Sequence, residues 1–162
     1  MEQQSLRTND CAEKVIQYYA DMVYRLAFAR TGTKQDADDV FQEVFLRYVK
    51  KKPYFVDEEH RKAWLIRVTI TCANNVWHAL RRKKTQALTD DILFETKDSI
   101  TLFAELQKLP VHYREVIHLF YYEDMPVEEI SRILNRKNAT IRTQLTRARA
   151  MLKQFMKEED YV

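Results

Sequence analysis

The 162-residue chain predicts an all-α fold of two small helical domains joined by a linker, and three features of the sequence predict it. It holds one glycine, Gly32, where average usage would place about eleven. Neither Asn-Gly nor Asp-Gly occurs, so the tightest β-hairpin turns lack the residues that form them. Apolar residues recur at intervals of three and four through most of the chain, which is the helical repeat. The glycine shortage also excludes Gly-rich phosphate loops, dinucleotide fingerprints and nucleophile elbows, because each needs glycine where backbone approaches a ligand or turns with positive φ.

The elements follow in order. A first helix is expected from Asp10 to about Arg30, with Asp10 and Glu13 forming a capping box and Gly32 placed as its C-terminal cap. A second runs from Lys34 to Lys51 and stops before Pro53, whose ring disfavours helix in the residue ahead of it. A third begins near Asp57-Glu-Glu59, acids that suit a helix N-terminus, and continues to Arg82. These make a first domain over residues 1–86. From Thr85 to Ser99 the pattern lapses into turn and cap residues, and 87–99 reads as a linker in which Ile92, Leu93 and Phe94 are candidates to dock. Four shorter helices are expected beyond it, over 100–108, 112–122, 126–134 and 138–157, with Pro126 in a first turn followed by Glu128 and Glu129. The last two, joined by Asn135-Arg-Lys-Asn138, give the second domain, 100–162, a helix-turn-helix.

Composition bounds the function. Apolar residues at 46% and aromatics at 12% suffice for two cores, and no apolar run approaches the length of a membrane span. The N-terminal Met1-Glu-Gln-Gln-Ser-Leu-Arg7 lacks the apolar stretch of a secretory signal. Cys11 and Cys72 have no Cys-x-x-Cys spacing and suit a reducing compartment, so a cytoplasmic location is expected. His60, His78, His112 and His118 fall into no metal spacing. Asp36, Asp38 and Asp39 sit at a helix start, where the dipole accounts for them. No catalytic constellation, metal site or cofactor is expected.

Charge is distributed unevenly. From Arg61 to Thr89 there are seven basic residues and no acidic one; from Ile130 to Lys157 there are eight and again no acid. A single such stretch reads more simply as a solvated helix face, but two in one short chain point to a polyanion such as nucleic acid.

Three surfaces carry candidate chemistry. On the last helix Ile141, Leu145, Ala148 and Leu152 form a narrow apolar stripe, and the remaining surface carries Arg142, Thr143, Gln144, Thr146, Arg147 and Arg149. Arginines interleaved with short hydroxyl and amide side chains suit a major groove; an ordinary amphipathic terminal helix is the plainer alternative. On the second helix Ala37, Val40, Phe41, Val44, Phe45 and Tyr48 share the core face. The opposite face places Leu46 among Asp39, Gln42 and Glu43, which reads either as a contact hot spot with a polar rim or as a lone exposed leucine. Beside the first basic stretch, Trp64 and Trp77 read as core, while Tyr54 and Phe55, next to Pro53, are the better candidates to stack on a ligand such as an unpaired base.

With those residues in place a family resemblance is specific. Asp36-Ala-Asp-Asp-Val-Phe-Gln-Glu-Val-Phe-Leu-Arg-Tyr48 resembles the polymerase-binding helix of bacterial sigma factors of the extracytoplasmic-function group. Ala63-Trp-Leu-Ile-Arg-Val-Thr-Ile70 is similar to the start of that family's promoter-melting helix. Leu109-Pro-Val-His-Tyr-Arg-Glu-Val-Ile117, Glu128-Glu-Ile-Ser-Arg-Ile-Leu134 and Ala139-Thr-Ile-Arg-Thr-Gln-Leu-Thr-Arg-Ala-Arg149 resemble its second domain. The match spans nearly the whole chain in the family's order.

The resemblance implies partners and residues. Asp39, Gln42, Glu43 and Leu46 would meet the clamp helices of the RNA polymerase largest subunit, and the flap of the second-largest subunit is a further partner. Tyr54, Phe55, Arg61, Lys62, Trp64, Arg67, Thr71, Arg81, Arg82, Lys83 and Lys84 would act at the minus-ten element. Arg136, Lys137, Thr140, Arg142, Thr143, Gln144, Thr146, Arg147 and Arg149 would act at the minus-thirty-five duplex. An inhibitory anti-sigma partner, often membrane-tethered, is also implied, as is a response to envelope or extracellular stress, with no membrane insertion of the chain itself. Three positions depart from the family pattern. Thr71 replaces an asparagine that helps to capture the flipped base, Asn135 replaces a turn glycine, and Arg136 follows it where an apolar residue is usual. The rival readings are a stand-alone helix-turn-helix regulator and a helical adaptor without a nucleic-acid role.

Overall fold

The computed structural model describes residues 11–82 and 104–159, with side chains placed as far as Val76 in the first stretch and Lys157 in the second. All regular structure among these residues is helical, and the chain divides into two compact units, Met1–Leu88 and Thr89–Val162. The expected linker, 87–99, with Ile92, Leu93 and Phe94, lies outside the described residues.

The first unit is a three-helix bundle of α1 (Ala12–Thr31), α2 (Lys34–Lys51) and α3 (Glu58–Arg82), each packed against the other two. Spacings of three and four turn Val15, Tyr19, Val23 and Leu26 of α1 inward, against Ala37, Val40, Val44 and Tyr48 of α2 and Leu65, Ile66 and Cys72 of α3. Each large apolar side chain buried here contributes roughly 1.5–3 kcal/mol. Thr69 is buried among them because its hydroxyl donates to the Leu65 carbonyl at 2.6 Å, which removes the cost of an unpaired polar group.

The α1–α2 connection takes two residues. Gly32 caps α1 at φ 81°, and its N–H donates to the Phe28 carbonyl. Thr33 opens α2: its Oγ1 accepts the Asp36 N–H at 3.2 Å and donates to the Asp36 carboxylate at 2.8 Å, a reciprocal cap. At the start of α1 the expected capping box gives way to Cys11 at the cap position with no side-chain bond, and Asp10 lies outside the described residues.

The second unit comprises a helical turn α4 (104–108), α5 (Val111–Ile117), a π turn (His118–Tyr122), α6 (Val127–Leu134) and α7 (Asn138–Glu159). Its core gathers Leu106, Leu109, Val116, Leu119, Ile130, Ile133, Ile141, Leu145 and Ala148. Two boundaries differ from expectation. The single helix expected over 112–122 starts at Val111 and widens into the π turn at His118, which packs against α6. Pro126 is the cap residue ahead of α6, with extended backbone at ψ 156°, rather than a member of its first turn. Asn135 ends α6 at φ 54° and ψ 50°, the left-handed geometry in which asparagine stands in for glycine.

Candidate functional site

The α2 surface is built by the helical repeat itself. The residues that fill the core leave Asp39, Gln42 and Leu46 on the opposite side, and Leu46 is 47% exposed. Glu43 is half-buried at the edge of this face, where its carboxylate accepts from Arg47 Nε at 2.9 Å. Val49, absent from the sequence-derived set, is 44% exposed and falls beside Gln42 and Leu46 at about 100° per residue. The signal was present as the Gln42, Leu46, Val49 spacing. The arrangement is a two-residue apolar centre with acidic and amide edges, the anatomy of a protein contact.

The segment between α2 and α3 alternates. Tyr54 is 76% exposed, Phe55 is buried and Val56 is exposed. Phe55 therefore does not stack on a ligand. It packs between Tyr48, with ring centroids 6.3 Å apart, and Trp64, at 5.9 Å. Arg61 is also corrected: its side chain is 0% exposed, lies 5.6 Å from the Phe55 ring centroid, and donates to Glu58 at 2.6 Å. It braces the core of its own unit and has no path to a phosphate.

On α3, Trp64, Arg67 and Thr71 fall on one helical face together with His60 and Asn75, which the family resemblance does not mark. Arg67, Thr71, His60 and Asn75 are exposed, and Trp64 is half-buried against Tyr48. Lys62 lies off this face, on the far side of the helix. Thr71 is exposed and donates its hydroxyl to the Arg67 carbonyl at 2.9 Å, so the oxygen keeps its capacity to accept. Arg81 and Arg82 fall in the last turn of α3, but their side chains, that of Trp77, and the whole of Lys83 and Lys84 lie outside the described part.

On α7 the apolar stripe is buried as expected at Ile141, Leu145 and Ala148. Thr140, Thr143, Thr146 and Arg147 share the exposed face, with Arg142 at its edge and Lys137 exposed in the turn. Thr143 and Thr146 donate to the carbonyls four residues back, at 2.9 and 3.0 Å. Arg142 stands 3.8 Å from Glu128, and both side chains are exposed, so the pair holds it weakly.

Two members of the expected set are committed elsewhere. Arg149 lies over the Phe120 and Tyr121 rings at 5.4 Å each and donates to the Tyr121 hydroxyl at 2.6 Å. Arg136 turns inward, where it donates to Gln144 at 3.2 Å and to the buried Glu115 carboxylate at 3.5 Å.

Beside Arg149 lies a cavity of about 570 Å³, walled by Leu106, Ile117, Leu152, Met156, Tyr121 and Tyr122, with Lys153 and Lys157 at its rim. The π turn supplies both tyrosines, and His118 stacks on Tyr122 from the buried side at 5.2 Å. No sequence signal distinguishes a π turn from a continuous helix here. Burial raises the Cys72 thiol above its ordinary value, with the nearby Arg47 opposing it, so Cys72 is a protonated core residue at neutral pH. Among the described residues no group of three His, Cys, Asp or Glu side chains is placed to hold a metal ion, and no helix is long and apolar enough to cross a membrane.

Comparison with known proteins gives two ordered matches. Residues 15–86 match the model of sigma-70 region 2, and residues 101–152 match that of sigma-70 region 4. The ECF RNA polymerase sigma factor SigM of Bacillus subtilis is 30% identical over 158 residues, covering 87% of this chain and 92% of the relative. The ECF RNA polymerase sigma factor SigW of the same organism is 27% identical over 173 residues, covering 92% and 90%. Among solved structures, the sigma factor RpoE of Bartonella quintana, in complex with the anti-sigma factor NepR, superposes with a TM-score of 0.72 at 18% identity, covering 90% of this chain and 96% of that one.

Proposed function

Because the chain belongs to the extracytoplasmic-function group of sigma-70 RNA polymerase sigma factors, we propose a division of labour between its two units. The first, 1–86, binds core polymerase and acts at the minus-ten element; the second, 100–162, reads the minus-thirty-five duplex, with 87–99 as the connection. Sigma factors serve transcription initiation without an enzymatic step of their own, and this chain follows that pattern, locating polymerase while polymerase makes RNA.

Core binding rests on the face of Asp39, Gln42, Glu43, Leu46 and Val49, which we assign to the clamp helices of the largest subunit. The observation that carries it is Leu46, exposed at the centre of an acidic and amide surface while Ala37, Val40, Val44 and Tyr48 on the other side of the same helix are buried. Exposed apolar clusters with polar edges mark protein contacts. The α3 face of Trp64, Arg67 and Thr71, with Tyr54 exposed nearby in the chain, is assigned to the opened minus-ten strand, where aromatics stack and cations hold phosphates.

The exposed face of α7 enters the major groove of the upstream element. Arg142 and Arg147 engage phosphates and base edges there, and Thr140, Thr143 and Thr146 offer methyl groups and lone pairs. The apolar cavity under Tyr121, Tyr122 and Met156 lies off that face, and we assign it to the flap of the second-largest subunit. The solved sigma factor RpoE of Bartonella quintana carries the anti-sigma factor NepR; the chain is accordingly proposed to act in the cytoplasm under such a regulator, released by envelope or extracellular stress. A stand-alone regulator is not favoured, because it accounts for the C-terminal match alone.

Run-off transcription with purified core polymerase tests the reading and delivers the promoter. The wild-type chain is expected to yield discrete promoter-dependent transcripts, and Leu46→Asp with Glu43→Lys to abolish core capture while the circular-dichroism melt is retained. Unchanged core affinity in the double variant would remove the α2 assignment.

A further inference from the structure

The turn ahead of α7 contains an arginine whose guanidinium faces the protein. One terminal nitrogen of Arg136 donates to Oε1 of Gln144 at 3.2 Å. The other stands 3.2 Å from Nδ1 of His112 and 3.5 Å from the buried carboxylate of Glu115. The backbone of the residue is fixed as well: its N–H donates to the Ser131 carbonyl at 3.0 Å, and its own carbonyl accepts from the Ser131 hydroxyl. A guanidinium carries donors only. The Gln144 atom that faces it must therefore be the oxygen. A single donor-only group thus fixes an amide orientation.

We propose that Arg136 is a positioning residue for promoter reading, which sets Gln144 as a one-sided hydrogen-bond donor so that this point of α7 favours guanine over adenine. The inference rests on the assignment of the exposed α7 face to the upstream element. Glutamine selects adenine by using both halves of its amide, the oxygen accepting from N6 and the nitrogen donating to N7. Here the oxygen is turned toward Arg136, which is in turn anchored to Glu115, so the amide nitrogen is the half left to face the groove. Guanine presents two acceptors, O6 and N7, to such a donor, whereas adenine presents N7 alone and its N6 amino group meets no partner. Thr140 and Arg147 flank Gln144 on the exposed side, so the donor sits at the margin of the reading face.

The test uses the full chain assembled with core polymerase on a promoter library randomised across the upstream element, with enriched templates sequenced. Gln144→Ala identifies the base pair concerned as the position where preference flattens. The wild type is expected to enrich guanine over adenine there, and Arg136→Met to move the ratio toward adenine by about tenfold. Equal loss at every sequence with an unchanged ratio would make Arg136 a structural brace only, and a wild-type preference for adenine would overturn the proposal outright. If Arg136→Met does not fold, Gln144→Glu decides, because it keeps an acceptor for Arg136 and removes the donor; guanine enrichment that survives it rejects the idea. Enrichment that is independent of Gln144 sinks this inference alone, while a library with no enrichment sinks the α7 assignment as well.

Discussion

The Arg61 guanidinium donates to one oxygen of Glu58 at 2.6 Å, and the Tyr19 hydroxyl donates to the other at 2.8 Å. One carboxylate at the start of α3 thus ties α1 to α3 and neutralises a wholly buried arginine. Breaking such a pair from the buried side leaves Glu58 without its cation and a cavity beside Phe55. Arg61→Ala is expected to destabilise the fold by about 3 kcal/mol, seen as a lower unfolding midpoint in denaturant. Promoter opening by that variant should fall only with its folded fraction. Arg67→Ala is the contrast: a midpoint within about 0.5 kcal/mol of wild type, with weakened opening. The reverse pattern would return Arg61 to the DNA-contacting set.

The same carboxylate makes Tyr19 a reporter of alkaline stability. Burial, then the hydrogen bond to Glu58, holds the Tyr19 phenol well above its ordinary value. The folded protein therefore keeps this proton where the unfolded chain, titrating near pH 10, has lost it. The stabilisation is complete below about pH 10 and declines as pH rises through the interval above it. Tyr19→Phe has no proton to retain, so its stability should fall less steeply between pH 10 and 11 than that of wild type. Parallel denaturation curves for the two proteins across that range would contradict the shift.

Val49 extends the α2 face by one turn beyond the resemblance-derived residues. With Leu46 it forms the only pair of exposed aliphatic side chains on α2 among the described residues. Val49→Asp should weaken core-polymerase binding by roughly ten- to one-hundredfold, within the range for central contact residues, while Lys50→Ala changes it by less than about threefold. Titration of fluorescently labelled chain with core enzyme measures both. Equal affinities for Val49→Asp and wild type would confine the contact to the turns from Asp39 to Leu46.

The legibility of this fold in its sequence follows from what each feature depends on. The helices and their faces were readable because periodicity is local: Val15, Tyr19 and Val23, or Ile141, Leu145 and Ala148, declare their inward sides without knowledge of any neighbour. Gly32 and Asn135 were readable as caps because left-handed backbone restricts residue choice. Phe55 and Arg61 were misplaced because burial of a loop aromatic and of a cation is decided by tertiary packing: Tyr48 of α2 and Trp64 of α3 enclose Phe55, and Tyr19 of α1 shares the Glu58 carboxylate with Arg61. Arg136 and Arg149 look like DNA contacts in a basic, acid-free stretch, yet Glu115, Gln144 and Tyr121 engage them. The π turn at His118 has no residue signature, and its shift in register is what brings Tyr121 and Tyr122 to the cavity wall.

Asn135 allows a direct measurement of that backbone restriction. Its N–H donates to the Ser131 carbonyl with φ at 54°, a conformation that disfavours a Cβ without a local polar group. Asn135→Ala is expected to cost about 1 kcal/mol in stability of the second unit, and Asn135→Gly to remain within about 0.5 kcal/mol of wild type. Both should leave base preference in the transcription library intact, because the turn geometry is unchanged. An alanine variant as stable as the glycine variant would show that the turn relaxes out of the left-handed region.

Met156 separates the two surfaces of α7. By helical arithmetic it lies on the side of Leu152 and Lys153, roughly 140° around the helix from Thr143 and about 21 Å along it from Arg142, so a substitution there does not touch the promoter-reading residues. It is exposed at the mouth of the apolar cavity with Tyr121 and Tyr122, and a carboxylate placed there would have to be desolvated by any apolar partner that entered. Met156→Glu should therefore leave direct binding of a duplex carrying the upstream element within about twofold, yet lower transcription from promoters that depend on that element by about tenfold. Binding of the isolated flap segment of the second-largest polymerase subunit, followed by fluorescence anisotropy, is expected to fall by a similar factor. Weakened duplex binding with unaltered flap affinity would place the cavity on the DNA side and reverse the assignment of the two surfaces.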